Sequence, residues 1–142
     1  MPTVKNMVVD WLGELKFSGR NEKGLKVDFE IAVEDVESEA LSPMETLLAS
    51  LGACSSYYVA TILKKQRQNL KGLSVKLTGI RRDEPPRIYT EIDMKYMLRG
   101  LGLNRNLVEN AVRLSNEKYC SVGGMLGKAA KITYSYEIIE EK

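Results

Sequence analysis

Hydrophobic and polar positions alternate in several separate stretches of the chain, with the period of two residues typical of a half-buried strand. The clearest early case is the segment 25–31, where apolar residues alternate with charged ones. Residues 7–18 are rich in strand-forming side chains, and the polar, glycine-flanked segment 19–24 between the two stretches predicts a turn. The start of the chain is therefore expected to form a hairpin of two strands.

The next stretch contains the residue types that typically start a helix. Ser42, Pro43 and Glu45 occupy the N-cap, first and third helical positions and form a capping box. The predicted helix continues to about Gln68, and from Met44 to Thr61 its only charged residue is Glu45. A helix that is apolar on all sides must be covered on all sides, and its length would be about 39 Å. One chain of 142 residues can hardly cover such a helix, so we expect a second subunit to cover part of it.

Further strands and helices follow the long helix. They are predicted as strands at residues 73–82 and 88–99, a helix from the Asn104 cap to about Tyr119, a short helix or turn within 121–130, and a strand at 132–138. In the strand at 88–99, one face is predicted to carry Ile88, Thr90, Ile92, Met94, Tyr96 and Leu98. The inner face of the second helix is predicted to carry Leu107, Val108, Ala111, Val112, Leu114 and Ser115. The order β-β-α-β-β-α-β indicates an α+β fold, mostly antiparallel, with one long buried central helix. The chain has no internal repeat and no Pro/Gly-rich linker, so residues 1–142 are expected to form a single domain.

The composition is that of an ordinary soluble globular protein, with 44% apolar and 28% charged residues. The 21 basic residues are spread along the chain and the net charge is only +2, so a nucleic-acid partner is not expected. No unbroken apolar run reaches the ~18 residues of a membrane span, and the N-terminal segment lacks the apolar core of a signal peptide. We therefore expect a cytoplasmic protein, without a membrane partner, whose thiols are reduced at rest.

The chain contains no histidine. This excludes Ser-His-Asp and Cys-His catalysis and most zinc sites, since two cysteines alone rarely hold a metal. Neither a metal nor a cofactor is expected. Thiols, carboxylates, hydroxyls and cationic side chains must carry whatever chemistry the protein performs.

Two cysteines are the strongest candidates for chemistry. Cys54 lies inside the long predicted helix, within the segment 49–56 that is rich in small residues, and Cys120 ends the second predicted helix. The small residues indicate either close approach by another element, with Cys54 as a small apolar core residue, or space for a ligand. Cys120 could likewise be a core cysteine.

The two cysteines could also form a redox pair. Their separation of 66 positions fits no metal motif and no C-x-x-C motif. A peroxidatic thiolate would attack the peroxide O–O bond and become a sulfenic acid, which a resolving thiol converts to a disulfide. The first thiol must ionise near neutral pH, and without histidine an arginine or lysine must supply the stabilising positive charge.

The segments around both cysteines resemble the motifs of a known family. SPMETLLASLGAC at residues 42–54 resembles the central-helix signature of the OsmC/Ohr family, and LSNEKYCSV at 114–122 resembles its second-cysteine signature. RRDEPPRIYT at 81–90 is similar to a stretch of the YhfA-like branch of that family. The resemblance extends from about residue 10 to residue 139, and the joint match of both cysteine motifs is specific.

The resemblance implies an OsmC-like fold and an intertwined homodimer whose long helices pack centrally, with active sites at the subunit interface. It also implies reduction of organic hydroperoxides by Cys54 and Cys120, helped by an arginine and a glutamate, with a dithiol as the external reductant. Arg20, in the predicted turn after Gly19, is similar to the family's arginine. A solvated turn residue is an equally good interpretation of Arg20.

The family's glutamate directly follows the proline at the helix start. This chain has Met44 there, and Glu45 comes one residue later. Glu45 therefore has two interpretations, as a catalytic carboxylate or as half of the capping box. Nine helical residues separate Glu45 from Cys54, which corresponds to a rotation of about 180° and a rise of about 13.5 Å. A catalytic Glu45 would have to serve the site of the other subunit or hold an arginine.

Two classes of function remain open. The leading hypothesis is a two-cysteine peroxidase, and the alternative is a non-catalytic dimeric module of the same fold that binds a small ligand or senses redox state. Tyr57 and Tyr58, one turn beyond Cys54, could line a pocket in either case, although aromatic packing is the simpler interpretation. Arg81 could point inward as a substitute cation, but an arginine at a strand end is more readily explained by solvent contact.

Overall fold

The chain folds into two small sheets and three α-helices, and the computed structural model describes residues 2–141. The elements are β1 (Met7–Gly13), β2 (Lys16–Asn21), β3 (Lys26–Glu30), α1 (Pro43–Lys65), β4 (Asn69–Arg81), β5 (Tyr89–Leu101), α2 (Arg105–Leu114), a π-helix (Ser115–Tyr119), α3 (Ser121–Leu126) and β6 (Lys131–Glu140). The sheets have the orders β1-β2-β3 and β4-β5-β6. Of the four strand pairings in the described residues, only that of β5 with β6 is parallel. The predicted α+β class with mostly antiparallel strands is confirmed.

The prediction of one strand over residues 7–18 is wrong, because the chain reverses in the middle of this segment. Gly13 and Glu14 have φ values of 107° and 51°, in the left-handed region. Glycine adopts this region without steric cost, and the indole N–H of Trp11 donates to the carbonyl oxygen of Glu14 at 2.9 Å. The extra turn gives three strands before the long helix instead of two.

The second turn of this sheet begins later than predicted. Residues 19–21, assigned to the turn from the sequence, belong to β2, so Arg20 is a strand residue. The side-chain oxygen of Asn21 accepts hydrogen bonds from the backbone N–H groups of Lys23 at 3.0 Å and Leu25 at 2.9 Å. Asparagine side chains commonly close turns in this way, and the reversal therefore follows Asn21.

Helix α1 starts at the predicted residue and ends at Lys65, before the predicted Gln68. Arg67 has a φ of 57°, and its backbone N–H donates to the carbonyl oxygen of Lys64 at 3.0 Å. The backbone N–H of Gln68 donates to the carbonyl oxygen of Leu63 at 2.9 Å. This pair of hydrogen bonds is a Schellman motif, which ends a helix at a left-handed residue.

The chain divides into two compact units, Met1–Leu47 and Leu48–Lys142, and the division falls inside α1. The second unit contains an apolar core drawn from α1, β5 and α2. Its most buried members are Leu51, Val59, Leu63, Ile92, Met94, Tyr96, Leu98, Val108, Ala111 and Val112. The predicted inward face of the strand at 88–99 is confirmed from Ile92 to Leu98. Ile88 and Thr90, predicted on the same face, are exposed, since the pairing shifts register next to Arg81.

Within one chain, α1 is buried along a single strip rather than on all sides. Leu51, Ser55, Val59 and Leu63 follow one another at four-residue spacing and are fully buried. On another face, Tyr57 is 62% exposed. Among residues 2–141, α1 is also the one helix long and apolar enough to span a membrane by length and composition alone. Core helices share these properties, and the buried strip shows that α1 serves as one.

The first unit exposes its apolar side chains. Every residue of β1 except its last is exposed, and Trp11 is 67% exposed. The buried apolar residues among 2–141 all lie at Leu51 or later. In the first unit, Glu30 is buried instead, and its carboxylate accepts a hydrogen bond from the backbone N–H of Glu39 at 3.0 Å. A single chain therefore leaves this sheet without an apolar core.

Candidate functional site

The structure brings Cys54 and Cys120 together in the second unit. Cys54 is half-buried on α1, and Cys120, between the π-helix and α3, is 5% exposed. Both cysteines are free, and the Cys54 side chain lies near enough to raise the pKa of the Cys120 thiol. Two cysteines 66 positions apart in the sequence are thus neighbouring thiols in the fold.

A π-helical turn places Cys120 beside the core. The backbone N–H of Cys120 donates to the carbonyl oxygen of Ser115 at 2.9 Å, an i to i−5 hydrogen bond. In an α-helix these two residues would be rotated by about 140° from each other. The wider turn stacks them instead, so Ser115 is fully buried and Cys120 is nearly so. Such π-turns occur frequently at functional sites.

Cys120 is also the N-cap residue of helix α3. Its Sγ accepts a hydrogen bond from the backbone N–H of Gly123 at 3.3 Å. A Cβ atom at position 123 would lie at ordinary van der Waals distance, 3.4 Å from this sulfur and 3.5 Å from a methyl carbon of Leu51. The start of α3 therefore packs beside both the thiol and α1.

Burial raises the pKa of the Cys120 thiol from its ordinary value of 9.0 to about 11. The neighbouring Cys54 thiol contributes to this rise, and the hydrogen bond from the Gly123 N–H opposes it. Desolvation disfavours the charged form of an acid. Cys120 is therefore a neutral thiol at neutral pH.

A buried network of hydroxyl groups lies next to the two cysteines along the chain. The Ser55 hydroxyl is hydrogen-bonded to the Tyr96 hydroxyl and, at 3.0 Å, to the Ser115 hydroxyl. The Ser115 hydroxyl also donates to the carbonyl oxygen of Ser55 at 2.8 Å, and the side-chain amide of Asn116 donates to the Tyr96 hydroxyl at 3.0 Å. The network joins α1, β5 and the π-helix at positions adjacent to Cys54 and shortly before Cys120.

These hydroxyls were not predicted as a network. Ser115 and Tyr96 were each placed on an inward face from periodicity, but nothing in the sequence shows which buried hydroxyl meets which. Burial raises the pKa of Tyr96, and the hydrogen bonds from Ser55 and Asn116 lower it in part. Buried polar groups are costly when unpaired, so the pairing fixes the relative positions of these elements.

The small-residue segment of α1 permits close approach by a strand. A Cβ atom at Gly52 would lie 2.9 Å from a methyl carbon of Leu77 and 3.3 Å from a methyl carbon of Val75, both on β4. Glycine inside a helix costs about 1 kcal/mol relative to alanine. Gly52 instead allows α1 to pack directly on β4, which is the close approach that the small residues around Cys54 predicted.

Arg20 lies in the first unit, on β2, and forms an exposed ion pair with Asp10 on the neighbouring strand. Both interpretations of Arg20 placed it in a turn, and that placement is wrong because Arg20 lies in a strand. The Arg20 charge has a carboxylate partner in the single chain. A role in thiolate stabilisation would require Arg20 to act while paired or to exchange that partner.

Glu45 is a capping residue in this structure. Its carboxylate accepts a hydrogen bond from the Ser42 backbone N–H at 3.0 Å, and its own backbone N–H donates to the Ser42 hydroxyl at 3.2 Å. This is the reciprocal arrangement of a capping box. The hydrogen bond from the Ser42 backbone lowers the pKa of Glu45. The capping interpretation of Glu45 is confirmed, and its catalytic role stays a prediction.

Arg81 is exposed at the end of β4, and its Nε donates to the carbonyl oxygen of Arg87 at 2.7 Å. The solvent-facing interpretation is confirmed for this residue.

For Tyr57 and Tyr58, both interpretations, aromatic packing and lining a pocket, agree with the structure. Their rings pack edge to face at 5.1 Å between centroids, and they line a depression on the second unit.

The fold is α+β, and its long helix α1 places the half-buried Cys54 thiol near the buried Cys120 thiol. These features define the class of the protein as α+β with a paired-thiol site. The family model described as OsmC-like protein matches residues 23–135, and the chain belongs to this family. Protein YhfA of Escherichia coli (strain K12) is 42% identical over 131 residues, which cover 92% of this chain and 96% of YhfA. The resemblance seen in the cysteine motifs is confirmed.

Solved structures agree with this assignment. A hypothetical protein from Aquifex aeolicus has a TM-score of 0.87 and 35% identity, with 99% of this chain and 100% of that chain covered. A protein from Legionella pneumophila described as an organic hydroperoxide resistance protein OsmC has a TM-score of 0.72 and 16% identity, covering 96% and 99%. The second likeness shows a shared fold.

Proposed function

We propose that this protein is a thiol-dependent peroxidase that reduces organic hydroperoxides through Cys54 and Cys120. The observation that carries the proposal is the proximity of two free thiols in the fold, with burial raising the pKa of one of them, Cys120. Membership of the OsmC family supports it, as does the description of a similarly folded Legionella protein as an organic hydroperoxide resistance protein.

The reaction requires only the two thiols and an external reductant. The Cys54 thiolate attacks the terminal oxygen of the hydroperoxide, the O–O bond breaks, and the alkoxide takes a proton and leaves as an alcohol. Cys54 is then a sulfenic acid, and the Cys120 thiol attacks its sulfur, forming a disulfide and releasing water. A dithiol returns both cysteines to thiols by exchange and becomes a disulfide itself.

The raised pKa of Cys120 supports a division of roles between the cysteines. A neutral thiol is a poor nucleophile toward peroxide, so Cys120 stays reduced while Cys54 reacts. Disulfides need Cα atoms within about 7 Å of each other or able to reach that distance. The Cys54 thiol is near enough to influence the protonation of Cys120, which supports the ability of the two cysteines to reach this distance.

Steady-state consumption of cumene hydroperoxide with a lipoyl-type dithiol tests the proposal. Cys54→Ser is expected to abolish turnover. Cys120→Ser is expected to allow the first oxidation and to block recycling, so one equivalent of peroxide disappears per subunit. Mass spectrometry under non-reducing conditions should show a Cys54–Cys120 disulfide in the wild type. Sulfinic acid on Cys54 beside a free Cys120 would exclude the resolving role.

Arg20 is proposed to supply the positive charge that favours the Cys54 thiolate. Arg20→Gln should then lower the peroxidase rate at neutral pH. Arg20→Lys keeps the charge and should retain most of the rate. Equal rates for all three proteins at neutral pH would show that the ion pair with Asp10 is the whole role of Arg20.

A homodimer is part of the proposal. Its support is the apolar surface that one chain leaves exposed on β1 and on α1, with Trp11 and Tyr57 largely uncovered. Trp11 is the single tryptophan, so its fluorescence reports directly on whether the first unit is covered. Sedimentation should give a dimer at micromolar concentration, with blue-shifted Trp11 emission. A 16 kDa species with emission typical of exposed tryptophan would contradict it.

A non-catalytic binding or redox-sensing module is the second candidate. Two observations favour it: Met44 stands where the family's glutamate is expected, and Arg20 is paired with Asp10. Such a module would form the Cys54–Cys120 disulfide once with peroxide but would not turn over with dithiol alone. The expected cytoplasmic location stays a prediction in either case.

A further inference from the structure

The buried hydroxyl network forms a chain of hydrogen bonds with one direction. An amide nitrogen can only donate and a carbonyl oxygen can only accept, so the two ends of the chain fix every bond between them. The Asn116 side-chain amide donates to the Tyr96 hydroxyl, which in turn donates to the Ser55 hydroxyl. The chain continues to the Ser115 hydroxyl and ends at the carbonyl oxygen of Ser55. Each hydroxyl accepts one hydrogen bond and donates one.

The acceptor at the end of this chain belongs to the residue that directly follows Cys54. The Ser115 hydroxyl donates to the carbonyl oxygen of Ser55 at 2.8 Å, and Ser55 is the next residue after Cys54 on α1. The carbonyl oxygen of the same Ser115 accepts the backbone N–H of Cys120 at 2.9 Å. Ser115 is therefore bonded on one side to the neighbour of the first cysteine and on the other to the second cysteine itself.

The start of the π-helix is held at two consecutive residues. Ser115 is fully buried, as is its partner Ser55. The side-chain amide of the next residue, Asn116, donates to the carbonyl oxygen of Val112 at 2.9 Å as well as to Tyr96. The first two residues of the π-helix are thus attached to α1 and β5. A fully buried hydroxyl cannot replace a lost partner with bulk water, so the position of the π-helix depends on these bonds.

We propose that Ser115 is a positioning residue for the resolving step, which holds the Cys120 sulfur within reach of the oxidised Cys54. The inference rests on the proposed peroxidase function. In that step the Cys120 sulfur attacks the sulfenic sulfur of Cys54, the S–S bond forms, the S–O bond breaks, and the departing hydroxide takes the thiol proton and leaves as water. Ser115 takes no part in these bond changes and acts only through the position of Cys120. A misplacement of about 1 Å can slow a reaction about a hundredfold.

A matched pair of serine variants separates positioning from general stability. Ser115→Ala removes the hydrogen bond to the Ser55 carbonyl oxygen. Ser55→Ala removes a buried hydroxyl of the same network but keeps that bond, because the backbone carbonyl survives the substitution. Each variant loses one fully buried hydroxyl, so a general loss of stability would affect both alike.

Rapid quenching and mass spectrometry measure the two chemical steps separately at one concentration of cumene hydroperoxide. The first rate is that of sulfenic acid formation on Cys54, and the second is that of disulfide formation with Cys120. The ratio of the second rate to the first should fall about tenfold in Ser115→Ala and stay within about twofold of the wild type in Ser55→Ala. An unchanged ratio in Ser115→Ala, or equal falls in the two variants, would overturn the role of Ser115 and leave the peroxidase proposal standing.

Two further measurements keep the inference testable without turnover or without the variant. If no hydroperoxide is consumed, each protein is equilibrated with reduced and oxidised dithiothreitol, which exchanges with the cysteine pair. Ser115→Ala should then lower the equilibrium constant for the Cys54–Cys120 disulfide about tenfold relative to Ser55→Ala, and equal constants or no disulfide in the wild type would overturn the inference. If Ser115→Ala does not fold, hydrogen exchange of the wild type decides. The Cys120 N–H should exchange as slowly as the N–H groups in the buried part of α1, and rapid exchange by local opening would contradict the positioning role.

Discussion

The two units of the chain use apolar residues in opposite ways. In the second unit apolar side chains close over a core, and a few hydroxyls inside that core are paired with one another. In the first unit apolar side chains face outward from a three-stranded sheet, and the polar contacts, such as that of Arg20 with Asp10, are mostly at its surface. The second unit therefore has an apolar core of its own and contains both thiols, whereas the first unit needs another surface to become stable.

This contrast shows where mutations should act most strongly. A large-to-small change in a packed core removes transfer free energy and leaves a cavity, but the same change on an exposed strand removes little. The difference holds only while the first unit remains uncovered. Any partner that covers β1 would raise the cost of its mutations toward that of core mutations.

The largest effect is expected from Leu51→Ala. Leu51 is fully buried in the second unit, so its truncation should lower the free energy of unfolding by about 2–5 kcal/mol. Leu12→Ala is the matched change in the first unit, where Leu12 is 60% exposed in the single chain. Urea unfolding of both variants measures the contrast. A loss from Leu12→Ala that approaches that from Leu51→Ala would show that Leu12 is covered by a second subunit.

Tyr96→Phe should have the next largest effect. It keeps the buried ring and removes the hydroxyl that pairs with Ser55 and Asn116, which leaves buried polar groups unsatisfied at a cost of about 1–3 kcal/mol. Thermal unfolding measures the loss. Tyr57→Phe is the matched control, because it removes the same hydroxyl from a side chain that is largely exposed in the single chain. Equal stabilities of the two variants would show that the network contributes nothing.

Alkaline pH should destabilise the second unit through Cys120. Because the folded-state pKa of Cys120 is raised from 9.0 to about 11, the unfolded chain loses this proton first. The contribution is complete below about pH 9 and is lost as pH rises toward 11. Cys120→Ser should weaken this decline in unfolding titrations. A remaining decline at higher pH is expected from Tyr96 and Tyr134, because burial raises the pKa of each. An identical decline in wild type and Cys120→Ser would contradict the assignment.

Elements with strong local signals could be predicted from the sequence. Ser42, Pro43 and Glu45 fixed the start of α1, and the Asn104 side chain accepts the N–H of Leu107 at 3.1 Å as a cap should. The alternation from Ile92 to Leu98 identified the buried face of β5. In each case the determining interaction lies within a few residues of the chain, where propensity and periodicity act.

Features that depend on distant or unusual geometry could not be predicted. The left-handed turn at Gly13 and Glu14 lies inside a run of strand-forming residues, so periodicity gave no sign of it. The π-turn before Cys120 looks like the end of an ordinary amphipathic helix. The proximity of Cys54 and Cys120 could be predicted only from the family resemblance, because no local sequence rule relates residues 54 and 120.

The smallest effect is expected at the helix start in the first unit. Glutamine can accept the same hydrogen bond from the Ser42 backbone N–H, so Glu45→Gln should keep the free energy of unfolding within about 0.5 kcal/mol at neutral pH. Ser42→Ala removes the other half of the box and should cost about 1 kcal/mol. The lowered pKa of Glu45 adds a pH test. Its small contribution is present above the ordinary pKa of 4.5 and is lost as pH falls through the folded-state value, a dependence that glutamine abolishes.

The same Glu45→Gln variant decides whether the carboxylate also serves chemistry. If Glu45 is only a cap, the peroxidase rate is unchanged along with the stability. A tenfold loss of rate at unchanged stability would correspond to about 1.4 kcal/mol of transition-state stabilisation and would assign it to the carboxylate charge. Since helix geometry turns Glu45 away from Cys54 of its own helix, that charge would have to act on the other subunit. Mixed dimers of Glu45→Gln and Cys54→Ser subunits test this, because the one intact Cys54 would then face the one intact Glu45 and keep its full rate.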